Sequence, residues 1–166
     1  MASMTTRKLI DFKQDDQYNT TREMWESINH LIPKGKIILW EAFMLNNTSS
    51  KSVDILRELG NNVIGSPQID FFLEDFGDII LSNPPYSIKK KIFARLAELD
   101  KPFILIVPIS TITKQFVRTL DRDKLQMIIP RKRLQFEKKG VPLSRCWFDC
   151  CYLAYKMNLE KDIVFL

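Results

Sequence analysis

Asn83, Pro84, Pro85 and Tyr86 stand side by side in the stretch "ILSNPPYSI", one residue after the apolar run "DIIL". Proline has no backbone N–H and a fixed φ, so two in succession end a strand sharply and hold the preceding residue extended. A plain strand terminator needs neither the asparagine nor the tyrosine. As chemistry, the quartet is a rigid loop presenting two acceptors together, the Asn83 side-chain oxygen and the Pro84 carbonyl. Two convergent acceptors suit an exocyclic amino group, which has two hydrogens to donate. Holding both hydrogens draws the nitrogen toward sp³ character and makes it a better nucleophile. The Tyr86 ring can stack on a flat base. The set fits methyl transfer to an amino group on a ring, with the donor in line with the nitrogen on the side away from the tyrosine.

The elements that must position this loop follow from the hydrophobic pattern. Residues 1–16 are polar and mixed in charge, which predicts a flexible N-terminal tail, and residues 17–166 read as one domain. In "TTREMWESINHLI", Met24, Trp25, Ile28, Leu31 and Ile32 fall on one helical face, and Thr20 with Glu23 has the spacing of a capping box. "IILW" is a short apolar run of the kind found in buried parallel strands. "VDILRELG" is helical and stops at Gly60. "NNVIG" and "DIIL" are further short strands, "SIKKKIFARLAELD" is an amphipathic helix, and "PFILIVP" is a buried strand. "STITKQFVRTLDRD" has a helical face through Ile112, Phe116 and Leu120. "LQMIIP", running on toward "RLQF", and "WFDCCYLAYKM" are two longer strands with no helix between them, which predicts an antiparallel hairpin at one edge. Alternating strands and helices over residues 22–121 imply a mostly parallel α/β sheet with right-handed crossovers. Such sheets bind ligands beyond the carboxyl ends of their strands, where "EAFMLNN" and "NPPY" both lie.

Composition narrows the setting. The chain has 166 residues, 45% hydrophobic and 27% charged, with a net charge of +5 and a pI of about 9.1. That excess favours an anionic partner. No apolar run is long enough to span a membrane, and the N-terminus lacks the apolar core of a signal peptide. The expected location is cytoplasmic or nuclear, within the host cell if the gene is viral. Cys146, Cys150 and Cys151 cluster in one apolar segment and read as packed free thiols. With His30 the only histidine, no metal site is expected.

The chain resembles the S-adenosylmethionine-dependent N6-adenine methyltransferases of the NPPY type, over roughly residues 17–156. "NPPY" is similar to their catalytic motif. "QYNT", "WEAF" and "IDFF" precede it in the order used when cofactor motifs come first. The resemblance implies a Rossmann-like methyltransferase fold and S-adenosylmethionine as cofactor. It implies that Tyr18 and Thr20 pack on the methionine part, that Glu41 and Phe43 form the cofactor loop with Glu41 at the amino end, and that Asp70 and Phe71 hold the adenine. Asn83, Pro84, Pro85 and Tyr86 then hold the target base.

The chain departs from that pattern in three places. The glycines expected after Phe43 are replaced by Met44, Leu45, Asn46 and Asn47. No acid follows the second strand, where "VIGSPQ" stands. Only about a dozen residues separate "NNVIG" from "DIIL", which shortens the third-strand region. No separate target-recognition segment is evident, so DNA or RNA would be held by basic loops or by a partner subunit. The candidate phosphate contacts are Lys89 and Lys90 beside "NPPY", and Arg131, Lys132, Arg133, Lys138 and Lys139 in the hairpin. The same residues equally describe a solvated charged face. Three readings stay open: an adenine methyltransferase, a degenerate relative serving as a nucleic-acid-binding or scaffold subunit, and a protein glutamine methyltransferase, whose substrate amide is chemically comparable.

Overall fold

The computed structural model describes residues 18–44, 50–138, 141–142 and 148–166. The expected tail at 1–16, the loop residues Leu45 to Asn47, Lys139 and Cys146 lie outside the described residues. In chain order the main elements are α1 (Arg22–Ile28), β1 (Ile38–Trp40), α2 (Ser50–Glu58), β2 (Asn62–Ile64), β3 (Ile79–Ser82), α3 (Lys89–Leu99), β4 (Phe103–Pro108) and β5 (Leu125–Ile129). They are followed by β6 (Glu137–Lys138), β7 (Val141–Pro142), β8 (Cys150–Tyr155) and β9 (Ile163–Phe165).

Seven strands form one sheet in the order β2-β1-β3-β4-β8-β5-β9, and β6 and β7 pair separately. Strands β2, β1, β3 and β4 run parallel. β3 and β4 are buried along their whole length, which is why they lack the polar alternation of a one-faced strand, whereas edge strand β2 exposes Asn62. The chain leaves β1 through α2 to β2 on one side, then returns to β3 on the other. The connections therefore diverge at β1 and β3, which opens a crevice beyond their carboxyl ends.

Two apolar clusters sandwich the sheet. One face packs Met24, Trp25 and Ile28 of α1 with Val53 and Leu56 of α2. The other packs Ile92, Phe93 and Leu96 of α3 against Phe103, Leu105 and Val107. Polar pins fix α1: the Tyr152 hydroxyl donates to the Met24 carbonyl at 2.8 Å, and Trp25 Nε1 donates to Ser52 Oγ at 3.1 Å. Gly60, at φ 85°, closes α2 in the left-handed region that suits glycine, as its position predicts.

The antiparallel hairpin is present, and β8 lies between β4 and β5 with antiparallel pairing to both. Cys150 and Cys151 are buried in β8, and burial pushes the Cys151 thiol up to about 11. A strand absent from the sequence reading, β9, pairs in parallel with β5 at the sheet edge. The strand at 125 ends at Ile129 rather than continuing to "RLQF".

Two local expectations are corrected. The segment 109–124 is not an α-helix but three short 3₁₀ turns, interrupted where Lys114 and Leu120 adopt extended conformations. Its β-branched "ISTIT" start, directly after Pro108, disfavours a continuous helix. Its apolar residues still pack, with Val117 and Leu120 buried. The N-cap of α1 is Thr21, with no side-chain capping hydrogen bond. Thr20 is buried and lines a cavity instead. Among the described residues no helix is long and apolar enough to cross a membrane, and no group of three or more His, Cys, Asp or Glu side chains could hold a metal.

Candidate active site

Glu41 is the first residue beyond β1. Its N–H donates to the Ile64 carbonyl at 2.9 Å, which extends the ladder to β2 and fixes the backbone. Its side chain is only 3% exposed. The carboxylate accepts from Ser82 Oγ and from the Phe43 N–H at 3.4 Å. Neither donor is charged, so burial dominates and pushes the Glu41 pKa up to about 7. Among the described residues no cation pairs with Glu41, so it is a buried acid poised near neutrality.

Asn83 follows β3 directly, so the sheet places it beside Glu41 and Ser82. Its Nδ2 donates to the Tyr18 carbonyl at 3.1 Å, and the Tyr86 hydroxyl donates to its Oδ1 at 3.0 Å. This network assigns which amide atom is the oxygen. The amide is clamped, with one lone pair of Oδ1 left over. Pro84 and Pro85 are buried, and the chain then turns through a 3₁₀ segment, Tyr86–Ile88, into α3. The quartet is therefore a rigid link between β3 and α3, as its prolines predict.

Around Tyr86 the fold gathers rings from three distant segments. Tyr18 stacks on Tyr86 with centroids 6.3 Å apart. Phe148 meets Tyr86 edge-on at 5.2 Å and Tyr18 at 6.0 Å, while Phe136 meets Tyr18 at 5.7 Å. Lys89 lies over the Tyr86 ring, 5.7 Å from its centroid. Tyr86 Oη is also 3.7 Å from Cys150 Sγ.

Tyr18, Thr20, Glu41, Phe43 and Asn83, all singled out from sequence, line one cavity of about 30 Å³ together with Lys51 and Ser52. That space holds about two water molecules. An acid, Glu41, and a cation, Lys51 in the first turn of α2, both line the cavity. A zwitterionic amino-acid group matches that donor set: its ammonium would complete Glu41, and its carboxylate would face Lys51 and the positive end of α2. The residues present fit the methionine end of S-adenosylmethionine in this respect.

Asp70 and Phe71 are not brought to this cavity. The Asp70 carboxylate accepts from the Phe72 N–H at 2.8 Å, closing its own turn. Phe71 is buried, 4.6 Å from Phe43 and 5.6 Å from Trp40 by ring centroids. Phe43 therefore joins the two groups, with one side toward the cavity and the other on Phe71. Met44 and Val53 crowd Gly65: a Cβ there would lie 2.8 Å from Met44 Sδ and 2.7 Å from Val53 Cγ2. The space beyond the ends of β1 and β2 is filled at that point.

The basic residues divide. Lys90, Arg131, Lys132 and Arg133 are exposed, and Lys138 is half-buried in β6. Arg133 is paired with Asp149 at 2.9 Å. Sequence reasoning missed Ser82, Lys51, Phe136 and Phe148. Ser82 carried a signal, a polar residue inside an apolar strand. The two phenylalanines carried none, because aromatic residues beside strands are usually core.

The chain matches no protein-family model and no curated protein sequence. It is similar to the solved structure of precorrin-6y C5,15-methyltransferase from Geobacter metallireducens GS-15, at 14% identity and TM-score 0.47, covering 86% of this chain and 95% of that one. It is also similar to TrmN from Thermus thermophilus, at 15% identity and TM-score 0.39, covering 82% of this chain and 49% of that one.

Proposed function

We propose that this chain is an S-adenosylmethionine-dependent methyltransferase acting on the N6 amino group of adenine in DNA or RNA. The observation that carries this reading is the clamped Asn83 amide, set between a buried acid, Glu41, and a cluster of rings, Tyr18, Tyr86 and Phe148. When bound, S-adenosylmethionine supplies an electrophilic methyl group. Glu41 would hold the cofactor's ammonium, and Lys51 would attract its carboxylate. Phe43 would wall the cavity against Phe71. Asn83 Oδ1 and the Pro84 carbonyl would accept the two amino hydrogens of the base, localising the nitrogen lone pair toward the methyl group. Tyr86 has its hydroxyl fixed on Asn83, so its ring is held in one orientation as a stacking surface.

A second reading rests on Met44. Its packing against Gly65 and the cavity of about 30 Å³ favour a degenerate relative that keeps the base site and binds cofactor weakly. Calorimetry with millimolar S-adenosylmethionine separates the two: absent heat and absent thermal shift would exclude the enzyme. With cofactor bound, tritiated-methyl transfer to DNA, RNA and lysate protein decides the substrate. The expected product is N6-methyladenine, and Asn83→Ala should abolish it while leaving cofactor binding largely intact. Label found in glutamine, or activity retained in that variant, refutes the assignment.

A further inference from the structure

A groove of about 900 Å³ lies beside the aromatic cluster and is a different space from the small cavity at Glu41. One wall is the start of α1, with Met24 and Ser27. The other is the segment 130–137 that leaves β5, with Arg131 and Lys132 on its rim and Leu134 and Phe136 in its floor. The two walls are stitched by a pair of backbone hydrogen bonds, Asn19 N–H to Glu137 O at 2.8 Å and Glu137 N–H to Asn19 O at 3.1 Å. Asn19 also lines the Glu41 cavity, and Phe136 packs edge-on against Tyr18. The groove therefore shares a wall with the candidate active site.

Topology sets its direction. β5 is antiparallel to β8, and β8 is antiparallel to β4, so the carboxyl end of β5 points the same way as that of β3. Residues 130–133 and the Asn83 loop thus sit on one edge of the sheet, three strand spacings apart in the order β3-β4-β8-β5. At about 4.8 Å per spacing this is roughly 14 Å.

Charge selects the occupant. Arg22 is held by Glu26 and Glu58, and Arg133 by Asp149. Arg131 and Lys132 are exposed on the rim, and among the described residues neither forms an ion pair. Glu23 and Glu137 also line the groove. We propose, resting on the adenine reading above, that this groove seats the sugar–phosphate backbone of a single-stranded nucleic acid flanking the target base, with Arg131 and Lys132 on its phosphates. A single strand offers splayed bases to Asn83 without the unpairing cost of a duplex. Contacts of this kind position the strand and carry no sequence information.

The test is fluorescence anisotropy without cofactor, using labelled single-stranded DNA and RNA of about twelve nucleotides, titrated across salt concentration. Replacing Arg131 and Lys132 together by alanine should lower the slope of log affinity against log salt by about 1.4, two contacts at about 0.7 each. Lys36→Ala with Lys161→Ala, an equal charge loss at exposed residues preceding β1 and β9 on the opposite edge, should leave the slope unchanged. An unaltered slope in the Arg131/Lys132 variant, or an equal drop in the control, overturns the inference and leaves the adenine reading standing. Equal binding of polyglutamate overturns it in favour of an acidic protein. Failure of the wild-type chain to bind either strand overturns both.

Discussion

Substituting Glu41 by glutamine should make the protein more stable and a poorer cofactor binder at once. Glu41 is buried, its donors are uncharged, and its folded pKa is pushed up from 4.5 to about 7. The folded state therefore holds this proton more tightly than the unfolded state. For such a group stability is greatest below about 4.5, falls as pH rises through the window to about 7, and is fully reduced above it. A rise of about 2.5 units at about 1.4 kcal/mol each makes the ionised side chain cost about 3 kcal/mol at pH 8. Glu41→Gln keeps the acceptor for Ser82 and removes that cost. Urea and thermal unfolding from pH 4.5 to 8.5 should show the variant and wild type converging at the acid end. At pH 8 the variant should lead by about 3 kcal/mol, or roughly 6–12 °C in Tm. Comparing the two proteins at each pH cancels the other titrating groups. The same substitution should weaken S-adenosylmethionine binding, because a neutral amide cannot balance an ammonium. Wild-type affinity should fall below pH 7 as Glu41 takes up its proton. A stability difference independent of pH, or a wild type more stable than the variant at pH 8, would refute the reasoning.

Other substitutions probe separate contacts. Tyr86→Phe removes the hydrogen bond to Asn83 Oδ1 but keeps the ring, so it should cost about 1 kcal/mol of stability and reduce kcat more than it raises KM. An unchanged kcat would show that the amide is held by Tyr18 alone. Gly65→Ala pushes a methyl into Met44 Sδ and Val53 Cγ2, and overpacking of this kind should lower stability by about 1–3 kcal/mol in urea unfolding. Pairing it with Met44→Ala should restore most of the loss, since the sulfur is the movable partner. Lack of rescue would place the clash on Val53 and the α2 helix.

Much of this architecture was legible in the chain itself. Unbroken apolar runs at 37–40, 79–81 and 102–108 imply strands buried on both faces, because only such strands need no polar face. The helical stripes at 22–32 and 88–99 imply their covering layers. The prolines of "NPPY" determine a rigid strand end, and the adjacent asparagine and tyrosine determine which groups that end presents. These are properties of covalent structure and local periodicity, and they survive translation into the fold.

Other features depend on partners remote in sequence. The 109–124 segment has an apolar stripe that reads as a helix, but β-branched residues and two extended breaks leave it as 3₁₀ turns. The order that inserts β8 between β4 and β5 is a matter of strand pairing across long loops. Thr20 is a capping residue by spacing and a cavity residue in space. Glu41 acquires its raised pKa only when the fold buries it, and Ser82, forty-one residues away, donates to it and offsets part of that rise. Tyr18, Tyr86 and Phe148 become one aromatic site only when three segments meet. Sequence determined which atoms could clamp an amino group; burial and convergence, which arise only from packing, decided the electrostatics around that clamp and the rings that flank it.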